Sequence, residues 1–227
     1  MRIAFFGGSF DPPHCGHLAI ARAAMACVGL ERVLFAPVGA QPLKRDLQPA
    51  AFEDRLAMVR LAIAGDPGFE VSLLDAPRPD GKPNFTLNTL RTLRRSLAPA
   101  DELFCLLGAD SFLSIRQWKG ADDLLFACDF IVAGRPGFEL TDLRSALPEQ
   151  VIVSGNPRLF SPGCLVVTLE NPARQRSRLY LLPDLKEDIS ATEIRAALNA
   201  SRDSSADEQA VLPEAVIAYI RAHGLYR

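Results

Sequence analysis

Apolar runs of strand length alternate with helical patterns along this chain, an order that predicts an α/β fold: a doubly wound parallel sheet with a small C-terminal helical part. Two observations carry the expectation. The strand-like runs are continuous in apolar character, as strands buried on both faces are. A glycine pair then closes the first run, and the turn it opens leads into an alanine-rich helical pattern. Folds of this class bind ligands at the carboxyl ends of their strands, so the first turn is where function is first sought.

In chain order, Ile3–Phe6 is the first expected strand, closed by Gly7-Gly8, and Leu18–Val28 the first helix. Strands follow at Val33–Ala36, Phe69–Leu74, Leu103–Leu107, Phe130–Ala133 and Tyr180–Leu182. Helices are expected at Phe52–Ala64, Thr86–Leu97, Ser111–Trp118, Ala121–Phe126, Thr192–Leu198 and Glu214–Ala222. From Pro136 to Arg178 proline is frequent and periodicity weak, so residues 137–178 read as an insertion or irregular lobe. The polar stretch Ser201–Gln209 reads as an exposed loop. One domain over 1–227 is expected, with a core over 1–183 and a helical part over 184–227.

Bulk composition narrows the function classes. A hydrophobic content of 48% with 23% charged residues is ordinary for a globular domain. A formal charge of −2 gives no general attraction to nucleic acid or to anionic membranes. No apolar run has the length of a membrane span, and Gly7-Gly8 cuts the opening apolar stretch too short for a signal peptide. The five cysteines are scattered without a C-x-x-C pair, so neither a disulfide nor a structural zinc site is expected. Reduced thiols in a cytoplasmic protein, with no protein-bound metal, are the expectation.

The segment GGSFDPPHCGHL, Gly7 to Leu18, holds two of the three histidines three positions apart. Glycines there permit close backbone approach by a ligand. Helix amides near Gly16–Leu18 add donors and partial positive charge for an anion, and an imidazole hydrogen-bonded to a phosphoryl oxygen would complete a phosphate cradle. The spacing is neither G-x-G-x-x-G nor a Walker loop. Far along the chain, Ile189-Ser190-Ala191-Thr192-Glu193-Ile194-Arg195 opens another helical run. Ser190 or Thr192 can cap that helix, and Arg195 offers a planar cation suited to phosphate oxygens.

His14-Cys15-Gly16-His17 resembles the (H/T)xGH signature of the nucleotidylyltransferase superfamily, and the Ile189–Arg195 segment resembles its ISSTxxR motif. Further segments resemble bacterial nicotinate-nucleotide adenylyltransferases. These are Gly108-Ala109-Asp110-Ser111 with Trp118, Asn84-Phe85-Thr86-Leu87-Asn88-Thr89-Leu90, Arg135-Pro136-Gly137, and the stretch from Leu212-Pro213-Glu214 to Leu225-Tyr226-Arg227.

The resemblance implies a Rossmann-like nucleotidylyltransferase fold and the transfer of AMP from ATP to nicotinate mononucleotide. By the same resemblance His17 and His14 are the catalytic candidates. ATP would be held by Gly8, Ser9, Phe10, His14, Gly16, His17, Gly108, Asp110, Ile189, Ser190, Thr192 and Arg195, and Mg²⁺ would arrive with it. The mononucleotide would be held by Lys44, Thr86, Asp110, Trp118 and Arg135. One departure stands out: the family's P-P-H-K segment is written Gln41-Pro42-Leu43-Lys44, which leaves the phosphate grip to Lys44, alone or with Arg45. Nicotinamide mononucleotide, another phosphomonoester, or a catalytically silent nucleotide sensor are the alternative readings.

Overall fold

The structure is a computed structural model that describes residues 1–40, 49–134, 140–183, 185, 189–200 and 210–227. By internal contacts the chain divides into two compact units. The first comprises Met1–Phe6, Ile20–Val33 and Phe85–Lys186; the second comprises Gly7–Ala19, Leu34–Asn84 and Glu187–Arg227.

The elements run β1 (Arg2–Gly8), α1 (Cys15–Val28), β2 (Arg32–Pro37), α2 (Phe52–Ile63), β3 (Phe69–Val71), α3 (Thr86–Ser96), β4 (Glu102–Gly108) and α4 (Ala109–Leu113). After a 3-10 turn at Ile115–Gln117 come α5 (Ala121–Leu124), β5 (Asp129–Ala133), α6 (Leu140–Ala146), β6 (Ile152–Ser161), β7 (Cys164–Glu170) and β8 (Arg176–Leu182). Helices α7 (Ala191–Ala200) and α8 (Glu214–His223) follow. Each strand and helix expected from sequence is present within a few residues. The Ser111–Trp118 pattern is the exception, divided between α4 and the 3-10 turn.

In the first unit the strands lie in the order β1-β4-β5-β8-β7-β6. Ile3 faces Leu103, Cys105 faces Phe130, and Ile131 faces Tyr180, all in parallel register. Strands β4 and β5 are buried along nearly their whole length, which is why they read as unbroken apolar runs. Phe5, Phe104, Leu106, Phe130, Ile131 and Leu179 form the heart of this unit, closed by Leu90, Phe112 and Ile115 from the helices. Burying one such side chain stabilises the fold by roughly 1.5–3 kcal/mol.

Two expectations are corrected here. The described part of 137–178, residues 140–178, is not an irregular lobe: it supplies α6, and β6 and β7 extend the sheet in antiparallel sense beyond β8. β6 is the edge strand, with Ile152, Leu159 and Phe160 exposed, so burial imposes no clean alternation on its sequence. The cysteines are not all thiols either. Cys27 on α1 and Cys164 on β7 are disulfide-linked (S–S 2.05 Å, Cα–Cα 5.9 Å), and the Ser161 hydroxyl donates to the Cys27 carbonyl at 3.0 Å beside them. The partners lie 137 residues apart, a pairing made by sheet topology and invisible in local spacing.

In the second unit, β3 lies against the end of β2, where the Ser72 N–H donates to the Phe35 carbonyl at 2.8 Å. Phe10, Phe35, Met58, Val59 and Val216 are among its buried residues, with the Phe10 and Phe35 rings 5.7 Å apart. Tyr219 on α8 donates to Asp54 on α2 at 2.9 Å. Gly39 is fixed by crowding: a Cβ there would meet the Pro77 backbone at 2.5 Å. Among the described residues no helix is long and apolar enough to cross a membrane.

Candidate active site

Strand β1 ends at Gly8, and the chain makes a tight excursion before α1 begins at Cys15. Phe10 has φ of +48°, a left-handed conformation that is uncommon outside glycine. Its ring lies under the turn: a Cβ on Gly8 would press on it at 3.2 Å, and it meets the His17 ring edge-on at 4.9 Å. Helix α1 has no acidic residue in its first turn. The positive end of the helix dipole is thus left for an external anion.

The two histidines form one unit. Their rings lie 3.7 Å apart, centroid to centroid, and the His14 backbone N–H donates to Nδ1 of His17 at 3.2 Å. With Nδ1 accepting, the neutral His17 ring carries its proton on Nε2. Burial, and then the neighbouring His14 ring, hold the His17 pKa well below the ordinary histidine range. At neutral pH His17 is therefore an uncharged donor. Gly16 is closely packed here: a Cβ would lie 3.1 Å from His14 Nδ1, so the ring would have to give, and 3.5 Å from the Ile189 Cβ, in ordinary contact.

That last contact joins the two sequence motifs. Ile189 sits against Gly16, Ser190 immediately precedes α7, and the Ile194 N–H donates to the Ser190 carbonyl at 3.0 Å. Arg195, one turn on, reaches back to the first turn and donates from Nη1 to the Asp11 carbonyl at 2.7 Å. From Nη2 it donates more weakly to Thr192 Oγ1, at 3.4 Å. The second unit therefore assembles Gly8, Ser9, Phe10, His14, Gly16, His17, Ile189, Ser190, Thr192 and Arg195 in one place.

Residues absent from the sequence-based candidates hold this place together. Arg55 on α2, 2% exposed, donates to the carbonyls of Ser9 (2.7 Å), Val38 (2.8 Å) and Ala50 (3.0 Å). Burial lowers its pKa, opposed by Asp11 and Tyr226. Tyr226 donates to Asp11 Oδ1 at 2.6 Å. A buried arginine among carbonyls leaves no local sequence pattern; a charge inside the Phe52–Ile63 helical period was the only available signal.

The remaining described candidates lie in the first unit. Thr86 is the first residue of α3, following Phe85 in extended conformation, and is half-buried. Gly108 ends β4, with nothing within 4 Å of where its Cβ would be, and Asp110 is exposed in the first turn of α4. Trp118 is half-buried rather than core, its indole N–H donating to Ser114 Oγ at 3.1 Å. Its neighbour Lys119 places its ammonium 4.3 Å from the Phe85 ring centre. Lys44, with Leu43, and Arg135 lie outside the described residues.

Among the described residues no three His, Cys, Asp or Glu side chains converge as a metal cluster. The His14–Arg195 cradle presents hydrogen-bond donors. Such a donor set suits a cation that is carried on phosphate oxygens and water.

Residues 5–197 match the cytidylyltransferase-like family. Fold, turn and family together define a nucleotidyltransferase. Full-length relatives specify it further. The chain is 36% identical to the probable nicotinate-nucleotide adenylyltransferase of Moorella thermoacetica (100% of this chain, 92% of that protein) and 38% identical to that of Gloeobacter violaceus (99% and 96%). It belongs to the nicotinate-nucleotide adenylyltransferase family. The fold is shared with the nicotinic acid mononucleotide adenylyltransferase of Plasmodium falciparum complexed with NaAD, at a TM-score of 0.71 and 18% identity over 99% of this chain and 97% of that one.

Proposed function

We propose that this protein transfers AMP from ATP to nicotinate mononucleotide, giving nicotinate adenine dinucleotide and pyrophosphate, as a cytoplasmic step in NAD biosynthesis. The observation that carries the reading is the joining of the two phosphate motifs in one unit, where Arg195 of the second motif donates to Asp11 beside the histidine turn.

The attacking group is a phosphate oxygen of the mononucleotide. A phosphate monoester, with its second pKa near 6, is already largely dianionic at neutral pH, so no general base is needed. What remains is to bring two anions together and to bear the charge that builds on the α-phosphoryl oxygens, which is work for positioning and preorganised donors. His17, neutral with its proton on Nε2, donates to an α-phosphate oxygen. A donor that does not titrate near pH 7 keeps its proton through the transfer. His14, Ser9 and the α1 amides orient the phosphates at the first turn, with Gly8, Phe10 and Gly16 shaping their approach.

Ser190, Thr192 and Arg195, with the backbone at Ile189, hold the β- and γ-phosphates and stabilise departing pyrophosphate. A guanidinium has five N–H donors, so the contacts of Arg195 with Asp11 and Thr192 are compatible with a phosphate partner. Gly108 and Asp110 serve the nucleotides, while Thr86 and Trp118 serve the pyridine, with Lys44 and Arg135 on the mononucleotide. Mg²⁺, held by ATP phosphates and water, supplies charge neutralisation when bound. A reaction that consumes ATP belongs in the compartment that maintains it, which supports the cytoplasm.

Mass spectrometry of the product tests the reading. ATP and nicotinate mononucleotide incubated with the protein and Mg²⁺ yield a dinucleotide that retains the adenylyl group; unchanged substrates would refute it.

A further inference from the structure

Asp11 lies between Phe10 and the prolines of the first turn and is only 5% exposed. A buried carboxylate needs partners, and those of Asp11 come from three separate stretches of the second unit. Tyr226, beyond the end of α8, donates its hydroxyl to Oδ1 at 2.6 Å. The Ala50 N–H, at the entrance to α2, donates to the same oxygen at 3.2 Å. Arg195 of the second motif donates to the Asp11 carbonyl and approaches Oδ2 at 3.8 Å. Arg55 brackets the same turn by holding the carbonyls of Ser9 and Ala50.

The Tyr226 bond is short and charge-assisted, the strong class of hydrogen bond. It spans 215 residues of sequence. Uncommon backbone conformations lie at one end of it and beside the other: φ is +62° at Tyr226 and +48° at Phe10, directly before Asp11. Neither residue is a glycine, and such conformations persist only where the surroundings over-determine them. The C-terminal stretch is thus ordered onto the residue that leads into the histidine turn and receives Arg195.

We propose that Asp11 and Tyr226 are positioning residues for adenylyl transfer. The Tyr226 hydroxyl fixes the Asp11 carboxylate, Asp11 fixes both the His14–His17 turn and the Arg195 guanidinium, and neither residue touches the reacting atoms. This rests on the reading of the two motifs as phosphate cradles. A mere tether would contribute to stability alone, and the molecule provides a comparison: Tyr219 on α8 makes a similar tyrosine–carboxylate bond, to Asp54 on α2 rather than to a residue of the turn.

Wild type, Y226F and Y219F are compared by pyrophosphate release from ATP with nicotinate mononucleotide and by NMR of the histidine rings without nucleotide. For Y226F we expect kcat lower by about 10- to 100-fold with KM for the mononucleotide within about threefold, the signature of lost placement rather than lost binding. Y219F keeps wild-type kcat. The chain has only three histidines, so the rings report by position. His14 and His17 signals move in Y226F. Those of His223, stacked on Tyr219 at 3.9 Å, move in Y219F. If Y226F does not fold, Asp11→Asn weakens the same bond at similar volume, with the same outcome expected. Wild-type kcat in Y226F, equal losses in both variants, or unmoved His14 and His17 signals would overturn the proposal. A wild type without turnover would instead defeat the reading of function, and the ring signals would still decide whether Tyr226 orders the turn.

Discussion

The His14 backbone N–H and His17 Nδ1 lie 3.2 Å apart, and this one bond sets which nitrogen of His17 carries the proton. Nδ1 accepts, so Nε2 carries the proton, and it is this N–H that the proposed function assigns to the α-phosphate. Replacing His17 removes that donor. We expect His17→Ala to lower kcat by on the order of 100- to 1,000-fold, the usual cost of losing one preorganised transition-state donor. Its circular dichroism should remain that of the wild type. A wild-type rate or an unfolded variant would take His17 out of the proposed role.

The depressed pKa of His17 has a stability consequence. Burial and the His14 ring resist its protonation in the fold, whereas in the unfolded chain it takes a proton at about 6.5. Between those two pKa values the unfolded state binds more protons, so stability rises with pH there. The contribution is complete above about pH 6.5 and is lost as pH falls through the lowered folded value. Urea unfolding between pH 7.5 and 5.5 should therefore show a steeper loss for the wild type than for His17→Asn; parallel losses would contradict this.

Gly16 tests how tightly the histidine pair is packed. An added Cβ meets His14 Nδ1 at 3.1 Å and Ile189 at 3.5 Å. Gly16→Ala should push His14 off its ring contact and lower kcat by about tenfold or more, since small misplacements at a reacting centre are costly. Helix propensity alone favours alanine by about 1 kcal/mol over glycine. Thermal melting should thus show little loss, and a collapsed Tm with normal specific activity would oppose the assignment.

Trp118 is half-buried, with its indole N–H donating to Ser114 Oγ at 3.1 Å. An aromatic face there suits a flat, electron-poor pyridinium. Trp118→Ala should raise KM for the mononucleotide and leave KM for ATP unchanged in steady-state assays. Equal damage to both constants would make the tryptophan structural.

The framework of strands and helices was readable because burial on both faces writes itself into continuous apolar runs, as at Leu103–Leu107 and Phe130–Ala133. The histidine turn was readable for a different reason: its glycines, prolines and imidazoles are contiguous. What sequence did not disclose shares one property. Arg55 among the carbonyls of Ser9, Val38 and Ala50, Tyr226 on Asp11, and Cys27 on Cys164 are contacts whose logic exists only once distant segments meet. β6 escaped notice because an exposed edge strand has no buried face to enforce a pattern.

The most direct test of the proposed function is competition between nicotinate and nicotinamide mononucleotides at equal concentration, with ATP and Mg²⁺, read as the two dinucleotide products by mass. The account predicts that the acid product dominates. Dominance of the amide product, or neither product in the presence of folded protein, would contradict it.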